Sequence, residues 1–248
     1  MIYAIKMWNN TRMIVLVAVV AAIYAATLIA FKTAIPLIPG ITEVRIANIF
    51  PMTFGFLFGP AGAWGLAIGN FIGDIFGGTF GPASIAGFFG NFLLGFLPYT
   101  MWTVFIPFCE KKYKWERKSF KSWCTYISIN LISSMACSII IGVAVDALGM
   151  APFEVISKII TINNFIGGLI GIIFLMLVYD VTTKQMGLFW IDIMDVDIQK
   201  SSKKGMLGSW IVAVGSITGI LGVFITGITL FNVKWLSTVL IIIGSILL

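Results

Sequence analysis

Apolar residues run along this chain in eight long stretches, roughly 13–31, 46–59, 61–76, 83–108, 122–146, 154–179, 207–231 and 235–248. None shows the alternation of a membrane barrel strand. Most are near the length of about 20 residues that a membrane-spanning helix needs. The pattern therefore predicts an all-α, polytopic helical membrane protein. The second and third stretches are separated only by Gly59-Pro60-Ala61-Gly62. Proline removes a helix hydrogen bond and glycine loosens the backbone, so a turn between two shorter helices is expected. One long kinked helix is the other reading, and it would invert the orientation of everything before it.

Composition strengthens this reading. Of 248 residues, 59% are hydrophobic and only 10% charged, with a mean hydropathy of +1.04. Soluble domains carry about a quarter charged residues. Lipid must be the solvent, and each segment must satisfy its own backbone. Lys6 and Arg12 precede the first apolar run, as in a signal peptide, but Met13–Phe31 is long for a signal core and right for a retained span. The net charge of +6 lies mostly between apolar runs, as orientation signals do. Lys111, Lys112, Lys114, Arg117, Lys118 and Lys121 fall in one short loop and place it in the cytoplasm. Charge alone leaves the N-terminus undecided, since split and kinked readings each put twelve of the sixteen basic residues inside.

The chain has no histidine and three cysteines, Cys109, Cys124 and Cys137, without metal-ligand spacing. No metal or cofactor is expected, the cysteines read as packing residues, and no nucleophile–base pair suggests an enzyme. Asp192, Asp195 and Asp197 lack the glycine and distal glutamate of a calcium loop. The segment 183–206 reads as a solvated or interfacial connector, with 207–248 an appended helical hairpin.

Several patterns carry possible function. Ala18, Ala22, Ala26 and Ala30 recur every four residues and form one smooth helix face, suited to close approach of another helix. Gly65, Gly69, Gly73 and Gly77 form a second such stripe, beside Asn70 and Asp74. A carboxylate in an apolar segment is costly unless paired or facing water. Residues 34–40 hold two prolines and a glycine, which preclude a regular helix, and Glu43 and Arg45 follow as an interface anchor or a pocket lip. Phe58-Gly59-Pro60-Ala61 recurs as Phe80-Gly81-Pro82-Ala83, and each copy is followed by Gly-Asn-Phe, at 69–71 and 90–92. A related Asn163-Asn164-Phe165-Ile166-Gly167 lies in the sixth run. With the split, Asn48, Asn70 and Asp74 share the outer half of the bilayer with Asn91, about 12 Å into its helix, and Asn164, about 15 Å into its own. Asn130 falls on the inner side and reads as structural. Polar groups at one depth are what a solute cavity requires.

Taken in order, these features resemble the S components, the substrate-binding subunits, of energy-coupling-factor (ECF) vitamin transporters. The resemblance rests on residues 12–95: the alanine-rich first helix, a loop, Glu43-Val44-Arg45, Gly59-Pro60-Ala61-Gly62, and a glycine-rich helix ending Gly69-Asn70-Phe71-Ile72-Gly73-Asp74. It implies a six-helix substrate-binding membrane domain over 1–182 with the N-terminus inside the cell membrane, and so chooses the split topology. It implies an external site for a small vitamin-like or nucleobase-like solute, with Glu43, Arg45, Asn48, Asn70, Asp74, Asn91 and Asn164 as candidate binding residues. It further implies that Ala18, Ala22 and Ala26 meet a T subunit, which acts with two ATPases. This chain has no phosphate-binding Gly-xxxx-Gly-Lys-Ser/Thr loop of its own. Residues 207–248 extend beyond the usual six helices, and a stand-alone transporter or channel is the alternative they support.

Overall fold

The computed structural model describes residues 1–31, 36–38, 42–43, 45–105, 107–108, 112–196, 202–225 and 230–248. The strands at 36–38 and 42–43 and the helical residues 224–225 and 230–232 are described by their backbone alone. Lys32, the side chain of Glu43, and Val44, Cys109, Lys111, Asp197 and Lys200 lie outside the described residues.

Eight principal helices are formed: α1 (Thr11–Phe31), α2 (Pro51–Phe58), α3 (Pro60–Phe76), α4 (Ala83–Met101), α5 (Phe120–Ala147), α6 (Phe153–Asp180), α7 (Lys203–Ile225) and α8 (Leu230–Leu247). Among the described residues, five helices are long and apolar enough to cross a membrane: α1, α4, α5, the one beginning at Phe153, and α7. The segment after α1 makes a small antiparallel ribbon, Pro36–Ile38 against Thr42–Glu43, in place of the helix its prolines forbid.

Gly59 settles the question of split or kink. Its backbone sits at φ 53°, ψ −124°, which glycine tolerates and other residues do not. Pro60 then opens α3 at the position where its missing N–H is harmless. The chain doubles back so sharply that a Cβ on Gly62 would lie 2.2 Å from the Phe54 carbonyl oxygen. A continuous helix would hold those two residues about 12 Å apart. The second copy of the tetrapeptide has a different role. Gly81 has open space around it, and Pro82 caps the start of α4. What recurs is helix-start chemistry.

The order of packing is α1 on α3, α3 on α4, α4 on α5 and α5 on α6. Short α2 is enclosed by these helices, with every residue from Pro51 to Leu57 buried. Small residues make the approaches close. The Gly65, Gly69 and Gly73 stripe receives α1, where added Cβ atoms would meet Val20, Ala21 and Leu28 at 2.5–3.0 Å. Gly55 meets the Gly95 carbonyl, and Gly167 and Gly171 receive Asn48 and Ile49.

At the end of the bundle near the 112–119 loop, Phe56, Tyr99, Trp102, Tyr113, Phe189 and Trp190 form a contiguous aromatic cluster. Burial pushes the Tyr113 phenol well above its ordinary range, and it donates to the Phe56 carbonyl at 2.9 Å. Trp190 belongs to the segment expected to be a solvated connector, yet it is only 1% exposed. It packs over Gly59, and Asn10 ties the same turn by donating to the Ile193 carbonyl at 3.2 Å. The connector therefore begins only after this turn has closed on the bundle.

Helices α7 and α8 pack mainly on each other and then on α5. Gly208 and Gly244 cross with each glycine against the other's carbonyl. Lys234 on α8 forms an ion pair with Asp146 at the end of α5. Asp146 also accepts from the Phe153 N–H at 3.2 Å, capping α6. A Cβ on Gly59 would lie 2.4 Å from the Trp190 ring and at a disfavoured φ. Gly59→Ala is therefore expected to cost about 2 kcal/mol or more, read as a lowered unfolding midpoint in detergent; an unchanged midpoint would contradict this turn.

Candidate functional site

Six elements bring polar side chains to one level of the apolar bundle. Arg45, just before the 3₁₀ turn Ile46–Ile49, donates through Nη1 to Asn70 Oδ1 on α3 at 3.1 Å. Its backbone N–H donates to Asn163 Oδ1 on α6 at 3.3 Å. Asn70 Nδ2 donates to Asp74 Oδ2 at 3.4 Å, one helical turn on. Asp74 Oδ1 accepts from the Thr79 hydroxyl at 3.3 Å. Asn48 Nδ2, from the 3₁₀ turn, donates to Asn164 Oδ1 at 2.7 Å. Tyr24 on α1 donates its hydroxyl to Asn91 Oδ1 on α4 at 2.8 Å.

Glycines on α4 join these pairs. A Cβ on Gly87 would stand 2.8 Å from Asn70 Nδ2, while Asn91 Nδ2 donates to the Gly87 carbonyl at 2.8 Å. Gly90, one residue before Asn91, lets Cys137 of α5 approach, its thiol 3.2 Å from where a Cβ would be. Cys137 in turn lies beside Asn164 and within electrostatic reach of Arg45. This is the local meaning of the repeated Gly-Asn step. The glycine admits a neighbouring helix, and the asparagine beside it reaches the polar level.

Of the expected residues, Arg45, Asn48, Asn70, Asp74, Asn91 and Asn164 are brought into this network, while the Glu43 side chain lies outside the described residues. Both ends of the Asn91 carboxamide are used within the protein, joining α1 to α4, and so are both ends of Asn70. Asn130 behaves as expected of a structural residue. It donates to the Phe165 carbonyl at 3.0 Å and packs on Gly168. Sequence reasoning missed Tyr24 and Cys137 as members. The signal for Tyr24 was available: it is the one hydroxylated aromatic in an aliphatic helix, on the face away from the alanine stripe. Cys137 had none. Ala18, Ala22 and Ala26 are exposed on that outer face, whereas Ala21 and Ala25 are buried against the bundle. Among the described residues no group of three or more histidine, cysteine, aspartate or glutamate side chains could hold a metal.

Energetics say what this network is for. An interhelical hydrogen bond in a membrane protein is worth about 0.6 kcal/mol on average and about 1.7 at most. A charged residue in a span costs about 2.5–3.5 kcal/mol. Several carboxamides, an arginine and an aspartate are a poor way to stabilise an apolar bundle, and polar groups so placed are candidates for a solute site.

A multi-pass helical bundle with such a level of convergent polar groups is a membrane component for solute uptake. Residues 14–180, more than half of the chain, match the family model described as the QueT transporter. The chain belongs to that family, whose members are ECF-type S components. Comparison with curated proteins and with solved structures finds no match.

Tyr24→Phe removes the donor to Asn91 and leaves a buried acceptor without its partner. It is expected to cost about 0.6–1.7 kcal/mol, measured as the shift in chemical or thermal unfolding of the purified protein. An unaffected transition would mean that α1 and α4 are not joined there.

Proposed function

We propose that this chain captures a queuosine precursor, a planar deazapurine base, at the polar level in the outer half of the cell membrane. In this reading it hands the base inward in complex with an ECF T subunit and two ATPases. The family's description as a queuosine precursor transporter supports the substrate class. The observation that carries the reading is the convergence of Arg45, Asn48, Asn70, Asp74, Cys137 and Asn164 from separate elements. Carboxamides offer donors and acceptors in one plane, which matches the edge of a heterocyclic base. Arg45 and Asp74 supply a complementary pair of charges at the rim, and Glu43 is assigned to the lip of the same pocket. Asn91 acts here by holding α1 and α4 in place.

In this reading the N-terminus and the basic loop at 112–121 lie on the cytoplasmic side, with the paired strands Pro36–Ile38 and Thr42–Glu43 outside. Residues 1–182 form the substrate-binding unit and 207–248 an added hairpin. That hairpin packs chiefly on α5, and the exposed alanine face of α1 remains available to a partner. This favours a partnered S component over a stand-alone channel.

The test is co-expression of the chain with a T subunit and the two ATPases. Ala22→Trp places a large ring in the smooth face. It should abolish co-purification of the T subunit and ATP-dependent uptake, while affinity for the base stays within about twofold of wild type. Uptake that persists in cells lacking any T subunit and ignores ATP depletion would refute the partnered mechanism.

A further inference from the structure

The carboxamides at the polar level are not equivalent. Asn70 uses its oxygen for Arg45 and its nitrogen for Asp74. Asn91 uses its oxygen for Tyr24 and its nitrogen for the Gly87 carbonyl. Asn164 uses only its oxygen, accepting from Asn48. Its nitrogen is buried and has no hydrogen-bond partner among the described residues, and the whole residue is only 6% exposed. The Cys137 thiol beside it is a weak acceptor. A buried amide donor without an acceptor is a costly arrangement, and it is rare enough in folded proteins to require a reason.

Other buried polar atoms without partners have different surroundings. Those of Trp102 and Trp190 sit in the aromatic cluster at the far end of the bundle. The serine hydroxyls can rotate to find acceptors, whereas the Asn164 amide is fixed by Asn48. Asn164 is the polar donor that lies within the site, is held in orientation, and has beside it only the weakly accepting Cys137 thiol.

We propose that Asn164 Nδ2 is the group that reads the substrate, by donating to an acceptor atom on the edge of the bound base, and that Asn48 fixes its orientation. This rests on the deazapurine reading above and adds to it a specificity-determining residue. The ligand must present an acceptor, a carbonyl oxygen or an unprotonated ring nitrogen, at the edge that faces α6. A site built to satisfy one hydrogen bond rejects ligands or variants that leave it unmade far more strongly than a hydrophobic pocket rejects a missing methylene.

Asn164→Asp separates reading from packing. At a pH where its carboxyl is ionised, aspartate keeps an oxygen to accept from Asn48 and has no donor, at the cost of a buried charge. The full chain is purified in detergent, its affinity for 7-deazaguanine is measured by calorimetry, and its unfolding midpoint is measured without ligand. The expected result is an affinity at least about tenfold weaker, with cooperative unfolding retained and the unliganded midpoint lowered by the buried charge. If the aspartate variant does not fold, Asn164→Leu, an apolar replacement without the donor, must show the same loss. Unchanged affinity in the folded variant overturns the assignment and leaves the deazapurine reading standing. No binding of 7-deazaguanine by the wild-type chain overturns that reading, and this assignment with it.

Discussion

The architecture depends on a single backbone reversal. At Gly59 the chain takes a conformation that an L-residue side chain resists, Pro60 starts a new helix at once, and α2 and α3 run back to back. That reversal brings the start of α2 and the end of α3 to the same end of the bundle. Asn48 and Arg45 precede the turn and Asn70 and Asp74 follow it, so the polar level exists only because the chain folds back here. Trp190 closes over the glycine from the far side of the sequence. The segment that follows α6 thus clamps the turn between α2 and α3.

Close approach at glycine is the second theme. Without a hydrophobic force between helices in lipid, association relies on shape and on interhelical hydrogen bonds. The Gly65, Gly69 and Gly73 stripe is used for this purpose, receiving α1 rather than lining a solute path. On α4, Gly87 and Gly90 do the same next to the site, so that Asn70, Asn91 and Cys137 meet around one stretch of backbone. The outer alanine face of α1 has the same smoothness and is exposed among the described residues. The added hairpin reaches the bundle by another route, a glycine crossing between its own helices and the Lys234–Asp146 ion pair to α5. Because Asp146 also caps α6, the hairpin is joined to the helix that carries Asn164.

Much of this was legible in the sequence, for identifiable reasons. Helix positions follow from runs of apolar residues, which lipid enforces strictly. The asparagines stood out because a carboxamide in such a run is expensive. The break at Gly59-Pro60 was visible, but its sharpness was not, since it depends on Trp190 and on the fit of Gly62 against Phe54. Burial of Phe189 and Trp190 was hidden by the charged residues that follow them. Pairings such as Tyr24 with Asn91 or Asn48 with Asn164 join residues far apart in sequence, and periodicity within one helix carries no information about them. For the same reason the sequence nominates Asn91 by its type and depth alone, without showing its pairing to Tyr24 and the Gly87 carbonyl.

The central claim is that the polar level holds a small heterocyclic solute. Native mass spectrometry of the full chain, extracted in mild detergent and incubated with a mixture of purine and deazapurine bases, tests it most directly. The account predicts one base retained per chain, selected from the mixture, and lost when Arg45 and Asn48 are both replaced by leucine. A chain that retains no base, or that retains the same base after both replacements, would contradict it.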